Sequence, residues 1–282
     1  MNSASRIKYI LFCLFIFLCG CEKQSFTIED TVAEWDVLYS DTQALDIYYF
    51  SPYNEKKPVL IFVHGGSWYA GDKSEWKANH VNLFLENGII NISINYGTSP
   101  HPTQIKDVAK AVRWVYDNVE KYGGDKEIMW LMGYSAGAHL VSLLCTDETY
   151  LKVEGLSFKN IKKVCAYDGG NYMRHAESIL SSSIEKDFRR TFGDDVEGWN
   201  KVLPYHHITK GKNIPPFLLV AEDDVEYRRE SNKAFAKKMR SCDYKVTEIY
   251  VPGCNHWSAF HEKFFEEKIR QQVINFYTTP LE

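Results

Sequence analysis

From Leu45 onward the chain repeats one unit, a short apolar run followed by a segment with helical spacing. The runs are LDIYYF from residue 45, VLIFVHG from 59, IINISINY from 89, IMWLMGYS from 128, VCAYDGG from 164, PFLLVAE from 216 and KVTEIYV from 245. The middle ones are continuously apolar, as strands are when both of their faces are covered. Between them, Ile105, Val108, Ala109, Val112, Val115, Tyr116 and Val119 recur at spacings of three and four, which predicts a helix over Thr103–Tyr122. Phe235–Met239 and Phe264–Tyr277 carry two more helical patterns. Alternating strand and helix predicts an α/β fold with a doubly wound, mostly parallel sheet. Ligands gather beyond the carboxyl ends of such strands. Those ends are His64, Ser135, Asp168, Asp223 and Asp224, and the turn after Val251.

Residues 171–207 break the rhythm with a long, mixed-charge stretch dotted with Tyr, Trp and His. A plain connection is shorter, so the segment is predicted to be a partly helical insertion over the strand ends, a lid or pocket wall.

The N-terminus is of different material. Arg6 and Lys8 precede eleven apolar residues, Tyr9–Cys19. That run is too short to span a bilayer as a helix and has the shape of a secretory signal. Leu18-Cys19-Gly20-Cys21 resembles the bacterial lipobox, and the resemblance implies that residues 1–20 are removed and Cys21 carries a lipid. The expectation is an exported protein, lipid-anchored in the cell envelope, with residues 21–40 as tether and N-terminal strand and 41–282 as the folded domain. An uncleaved N-terminal anchor is the alternative.

The net charge of −4 comes without any basic block, which argues against nucleic acid as a partner. Of the seven cysteines, Cys242 and Cys254 flank the strand Lys245–Val251, which holds them too far apart to bridge. A Cys145–Cys165 pair is conceivable in an oxidising envelope. No C-x-x-C or Cys/His cluster suggests a metal site.

The sharpest motif is Gly133-Tyr134-Ser135-Ala136-Gly137, which closes an apolar strand and opens a helix. Strand–turn–helix is the context in which Gly-x-Ser-x-Gly acts as a nucleophile elbow. A nucleophilic serine needs a base, and His256 follows a late strand in VPGCNHWSAF. His261 is the fallback, and His139, one turn past Ser135, reads as structural. A base needs a carboxylate to fix its tautomer. PFLLV is followed by Ala221-Glu222-Asp223-Asp224; Asp224 is favoured, with Asp223 the adjacent alternative, and Glu222 is expected to point away from the crevice. Acyl transfer also needs oxyanion donors. The run VLIFV ends in His64-Gly65-Gly66-Ser67-Trp68, so the amides of Gly65 and Gly66, with that of Ala136, are expected to form the hole.

Taken together, HGGSWYAGDK, GYSAGAHL, VAEDD and GCNHW resemble the α/β-hydrolases, in the esterase branch that includes hormone-sensitive-lipase-like esterases, bacterial carbohydrate-ester esterases and kynurenine formamidases. The resemblance covers roughly residues 40–280. Its Ala-Glu-x-Asp form supports Asp224. Two positions depart from the pattern: Ser67 stands where lipase-like members carry a third glycine, and Ala221-Glu222 replaces the frequent glycine before the acid. The resemblance implies a serine carboxylesterase acting on small esters, acetyl or aryl esters of sugars among them, without a cofactor. A formamidase-type amide hydrolase is the second reading, and a non-catalytic binding protein on the same fold the third.

Overall fold

The computed structural model describes residues 31–170, 172 and 182–280. The signal sequence, Cys21, and residues 171 and 173–181 of the expected insertion lie outside the described residues. In chain order the elements are β1 (Thr31–Leu38), β2 (Ala44–Phe50), β3 (Lys57–Val63), α1 (Ala78–Glu86), β4 (Ile90–Ile94), α2 (Thr103–Asn118), β5 (Gly124–Tyr134), α3 (Ala136–Leu144), α4 (Thr149–Val153), β6 (Ile161–Tyr167), α5 (Ser182–Phe192), α6 (Pro204–His207), β7 (Phe217–Glu222), α7 (Glu226–Ser241), β8 (Val246–Val251), α8 (His256–His261) and α9 (Glu267–Thr278).

The strands form one eight-stranded sheet in the order β1-β2-β4-β3-β5-β6-β7-β8. From β4 through β8 every pairing is parallel, while β2 runs antiparallel to both β1 and β4. The alternating pattern therefore gives the doubly wound α/β sheet predicted from the sequence.

The continuously apolar strands are buried on both sides, because successive side chains point to opposite faces. On β3, Val59, Ile61 and Val63 join the core under α2, α3 and α7. Leu60 and Phe62 join the second core under α1, α8 and α9. On α2, Ile105, Val108, Ala109, Val112 and Val115 are all buried. That helix ends at Asn118, and a 3-10 turn carries the chain on to Tyr122. The described part of 171–207 is partly helical, with α5, a 3-10 turn at Gly198–Lys201 and α6.

Cys145, Cys165, Cys242 and Cys254 are free thiols. The conceivable Cys145–Cys165 pair is corrected: Cys145 packs into the α2/α3 core and Cys165 into the opposite one, so the sheet separates them.

Candidate active site

Ser135 stands between the last residue of β5 and the first of α3, with φ 55 and ψ −114. An L-residue rarely adopts a left-handed φ, and such strain persists where the surroundings over-determine it. Here they do. The Ser135 N–H donates to the Tyr167 carbonyl on β6 at 3.0 Å, so the turn is tied to the next strand. Its flanking glycines are required by close backbone approach. A Cβ on Gly133 would lie 2.2 Å from the Gly137 oxygen, and one on Gly137 would lie 2.0 Å from the Val63 oxygen. No side chain fits either place, which lets α3 start directly behind the serine.

His256 is the first residue of α8, whose N-cap Asn255 exchanges hydrogen bonds with Ser258. This capping box fixes where the helix begins and hence where the imidazole points. Tyr134 reinforces it. Its ring stacks on the imidazole with centroids 5.1 Å apart, and its hydroxyl donates to the His256 carbonyl at 2.7 Å. The result is an Nε2–Oγ distance of 2.8 Å between His256 and Ser135.

On the other side of the imidazole the expected acid is corrected. Nδ1 of His256 lies 2.6 Å from Oδ2 of Asp168, at the end of β6. Asp224 is exposed, and its Oδ2 accepts the Gly253 N–H at 2.8 Å. Asp223 is still bound to β8 through its N–H on the Val251 carbonyl. The physical reason is the length of β7. Its pairing with β8 runs through Glu222 and Asp223, so the chain turns toward the β8–α8 loop only at Asp224. At the end of β6, next to the nucleophile strand, the Asp168 N–H is likewise still bound to its neighbour, on the Val220 carbonyl, but φ 52 there swings the carboxylate into the crevice.

Asp168 is fully buried and well satisfied: Oδ1 accepts the Glu222 N–H at 2.9 Å, and Arg228 Nη1 donates to its carbonyl at 2.7 Å. Glu222 does not point away from the crevice. It is buried, and its Oε1 pairs with Arg228 Nε at 2.9 Å. Burial, then the Asp168 charge, push the Glu222 carboxyl up to about 7 against the pull of Arg228. Arg228 Nη1 also lies close to His256 Nδ1. That nitrogen can donate to Asp168 or accept from Arg228, not both. An imidazole whose Nε2 is to take the Ser135 proton carries its own hydrogen on Nδ1, so the bond to Asp168 is the one it makes. Asp168, Glu222 and His256 bring ligand atoms within 4.8 Å of one another, as a metal site would, and Arg228 supplies positive charge to that cluster.

The oxyanion loop departs from expectation at one position. The Gly65 N–H donates to Glu75 Oε2 at 2.7 Å, so it is already committed. The chain then turns through left-handed backbone at Gly66 (φ 105), Ser67 (51) and Trp68 (65). Ser67, Trp68 and Ala136 line the cavity at Ser135. The amides of Gly66, Ser67 and Ala136 meet no acceptor among the described residues. The uncommitted amides are therefore Gly66, Ser67 and Ala136, one residue further along the loop than the Gly65–Gly66 pair.

The GDK segment holds that loop. Asp72 accepts from Ser74 N–H and Asn95 Nδ2, and buried Lys73 pairs with Asp36 and Asp46 at the sheet edge at 2.8 and 3.0 Å. His64 stacks on Tyr96, and burial holds its imidazole down to about 4. His139 is fully buried and held down to about 3 by the same cause. It accepts the Trp68 indole N–H at Nδ1 (3.2 Å) and donates from Nε2 to the Val202 carbonyl (2.8 Å), a structural tie between loop and insertion. His261 sits 3.8 Å from Glu75 and does not take the place of His256.

Residues 45–239 match the family model designated BD-FAE. The chain belongs to the BD-FAE family. Among relatives, it is 30% identical to Esterase LipC of Mycobacterium tuberculosis over 78% of this chain and 58% of that protein. It is 42% identical to Esterase LipQ of the same organism over 71% of this chain and 50% of that protein. The chain thus spans little more than half the length of these curated relatives. Among solved structures, a truncated carbohydrate esterase from gut microbiota superposes with a TM-score of 0.73 at 21% identity, covering 87% of this chain and 95% of that one. Esterase B of Lactobacillus rhamnosis superposes with a TM-score of 0.70 at 20% identity, over 88% and 84%. The architecture of this BD-FAE member is that of α/β-hydrolase esterases.

Proposed function

We propose that this chain is a serine carboxylic ester hydrolase that works through an acyl-enzyme. The observation that carries the reading is the continuous chain Ser135 Oγ–His256 Nε2 (2.8 Å) and His256 Nδ1–Asp168 Oδ2 (2.6 Å), built on a left-handed elbow. Ser135 Oγ attacks the ester carbonyl carbon while its proton passes to Nε2 of His256. Asp168, buried and bonded to Nδ1, orients the imidazole and stabilises the imidazolium. The carbonyl oxygen becomes an oxyanion held by the loop amides and by that of Ala136, at the N-terminus of α3. Collapse breaks the C–O bond, and the leaving alcohol takes the proton from Nε2. Water, deprotonated by His256, then attacks the acyl carbon and releases the carboxylic acid and free Ser135.

The family and the names of the relatives support this reaction class. The cavity at Ser135 measures about 110 Å³. Drug-sized ligand pockets run to roughly 300–1,000 Å³, so its size supports a short acyl group. A panel of acetyl, butyryl and feruloyl esters beside N-formylkynurenine tests the reading. We expect turnover of acetyl esters first, and none by Ser135→Ala. Turnover of the formamide alone, or equal turnover by the alanine variant, overturns it.

From the sequence we also infer export and a lipid on Cys21, which keep the enzyme at the envelope. The described residues contain no helix long and apolar enough to cross a membrane.

A further inference from the structure

The reading as an esterase leaves one charged side chain in the catalytic cavity without a task. Asp187, on α5, lines that cavity together with Ser135 and His256. Its place is set by packing on the other side of the same helix. Phe188 and Phe192 pack edge-on against Trp68, each with its ring centroid 5.3 Å away. They meet each other tilted, with centroids 4.4 Å apart, and Phe188 meets Trp199 at 4.9 Å. With that apolar stripe fixed to the oxyanion loop, the residue before Phe188 is turned to the serine. Tyr69 steadies the carboxylate by donating its hydroxyl to Oδ1 at 3.2 Å, and the Arg190 guanidinium lies over the Tyr69 ring at 3.9 Å.

The charges around the serine do not balance at this point. Arg228 is taken up by Asp168 and Glu222. No cation pairs with Asp187 among the described residues, and Oδ2 of Asp187 accepts no hydrogen bond from them. A carboxylate is acceptor-only and seeks donors. Placed beside the scissile carbonyl, it favours a hydroxyl and repels a second carboxylate.

We infer that Asp187 is a specificity-determining residue, its Oδ2 accepting a hydrogen bond from a hydroxyl that the substrate carries next to its ester. The inference rests on the esterase reading and deepens it. The substrate class it selects is neutral, hydroxyl-bearing esters over both bare alkyl esters and esters with a neighbouring carboxylate. Asp187 is half-buried, and a site that bonds a hydroxyl disfavours the analogue that lacks it, because its acceptor then loses that donor.

The test compares kcat/KM for glycerol monoacetate, ethyl acetate, acetylcholine and monoethyl succinate in the wild type, Asp187→Asn and Asp187→Ala. We expect the wild type to prefer glycerol monoacetate to ethyl acetate, and Asp187→Ala to lower that ratio by about tenfold or more. Asp187→Asn keeps an acceptor oxygen and the side-chain shape, so its ratio should fall less. Monoethyl succinate should gain in both variants as the like charge is removed. A ratio within twofold of wild type in both variants overturns the inference while leaving the esterase reading intact. So does a loss confined to acetylcholine, which carries positive charge but no donor. Turnover of no ester by the wild type removes the esterase reading and this inference with it.

Discussion

The Asp168 carboxylate at the end of β6 lies 2.6 Å from Nδ1 of His256, while the two aspartates after β7 turn away from it. The acid that orients the base is thus supplied by the strand adjacent to the nucleophile strand. Asp168→Asn preserves the shape but favours the wrong imidazole tautomer, and a loss on the order of 10⁴ in kcat is expected. Asp224→Asn alters an exposed loop contact and should cost less than about tenfold. Steady-state kinetics of the two variants on one ester checks this; the reverse pattern would restore Asp224.

Glu75 holds the oxyanion loop from behind by accepting the Gly65 N–H. Burial raises its carboxyl, so it is poised on that bond at a cost in solvation. Loss of a direct oxyanion donor costs about 10²–10³ in kcat. Loss of this support should cost less, about tenfold, in Glu75→Ala. Glu75→Gln retains an acceptor oxygen and should recover most of the rate. A fall in kcat with little change in KM is the expected split, and a change in KM alone would contradict it.

Acid should destabilise the fold through its buried histidines. His80 is stacked between Trp76 and Phe260, and burial foremost holds it down to about 3. An unfolded histidine titrates near 6.5. Below that pH the unfolded chain binds a proton that the folded one refuses, so stability present above about pH 6.5 is lost as pH falls toward 3. His64, His101 and His139 act in the same direction. His80→Phe keeps the stacking and removes one such proton. The stability lost between pH 7 and pH 5, measured by urea unfolding, should shrink by about 2 kcal/mol. An unchanged loss would show that His80 is not held neutral.

Cys21 is expected to carry a lipid. Metabolic labelling with a radioactive fatty acid should mark the wild-type protein and not Cys21→Ser, which should leave the membrane fraction or remain unprocessed. A wild-type protein that takes up no label excludes the anchor.

Much of this arrangement is legible before folding. Continuous apolar runs announce strands covered on both faces, and Gly133 and Gly137 announce an elbow because no other residue fits between β3, β5 and α3. Chain order and a late strand point to His256. The acid is not legible in the same way. VCAYD and FLLVAED both end an apolar run on a carboxylate, and which one reaches the imidazole depends on strand order and on the backbone turn at the strand end, left-handed at Asp168. The DGG after AY was the available clue, since two glycines after a strand-end aspartate mark a sharp turn at the crevice. The commitment of Gly65 to Glu75 and the folding of Glu222 onto Arg228 are contacts between loops, invisible to periodicity.

The central claim is that Ser135 is the nucleophile. An activated phosphonate ester, such as a 4-nitrophenyl alkylphosphonate, would transfer its phosphonyl group to the attacking oxygen and release nitrophenol. Intact-mass and peptide mass spectrometry after this treatment is the most direct measurement. One adduct per chain is expected, on the peptide containing Ser135, appearing with loss of ester turnover and absent from Ser135→Ala. Inactivation with the adduct on any other residue, or full labelling of Ser135→Ala, would contradict it.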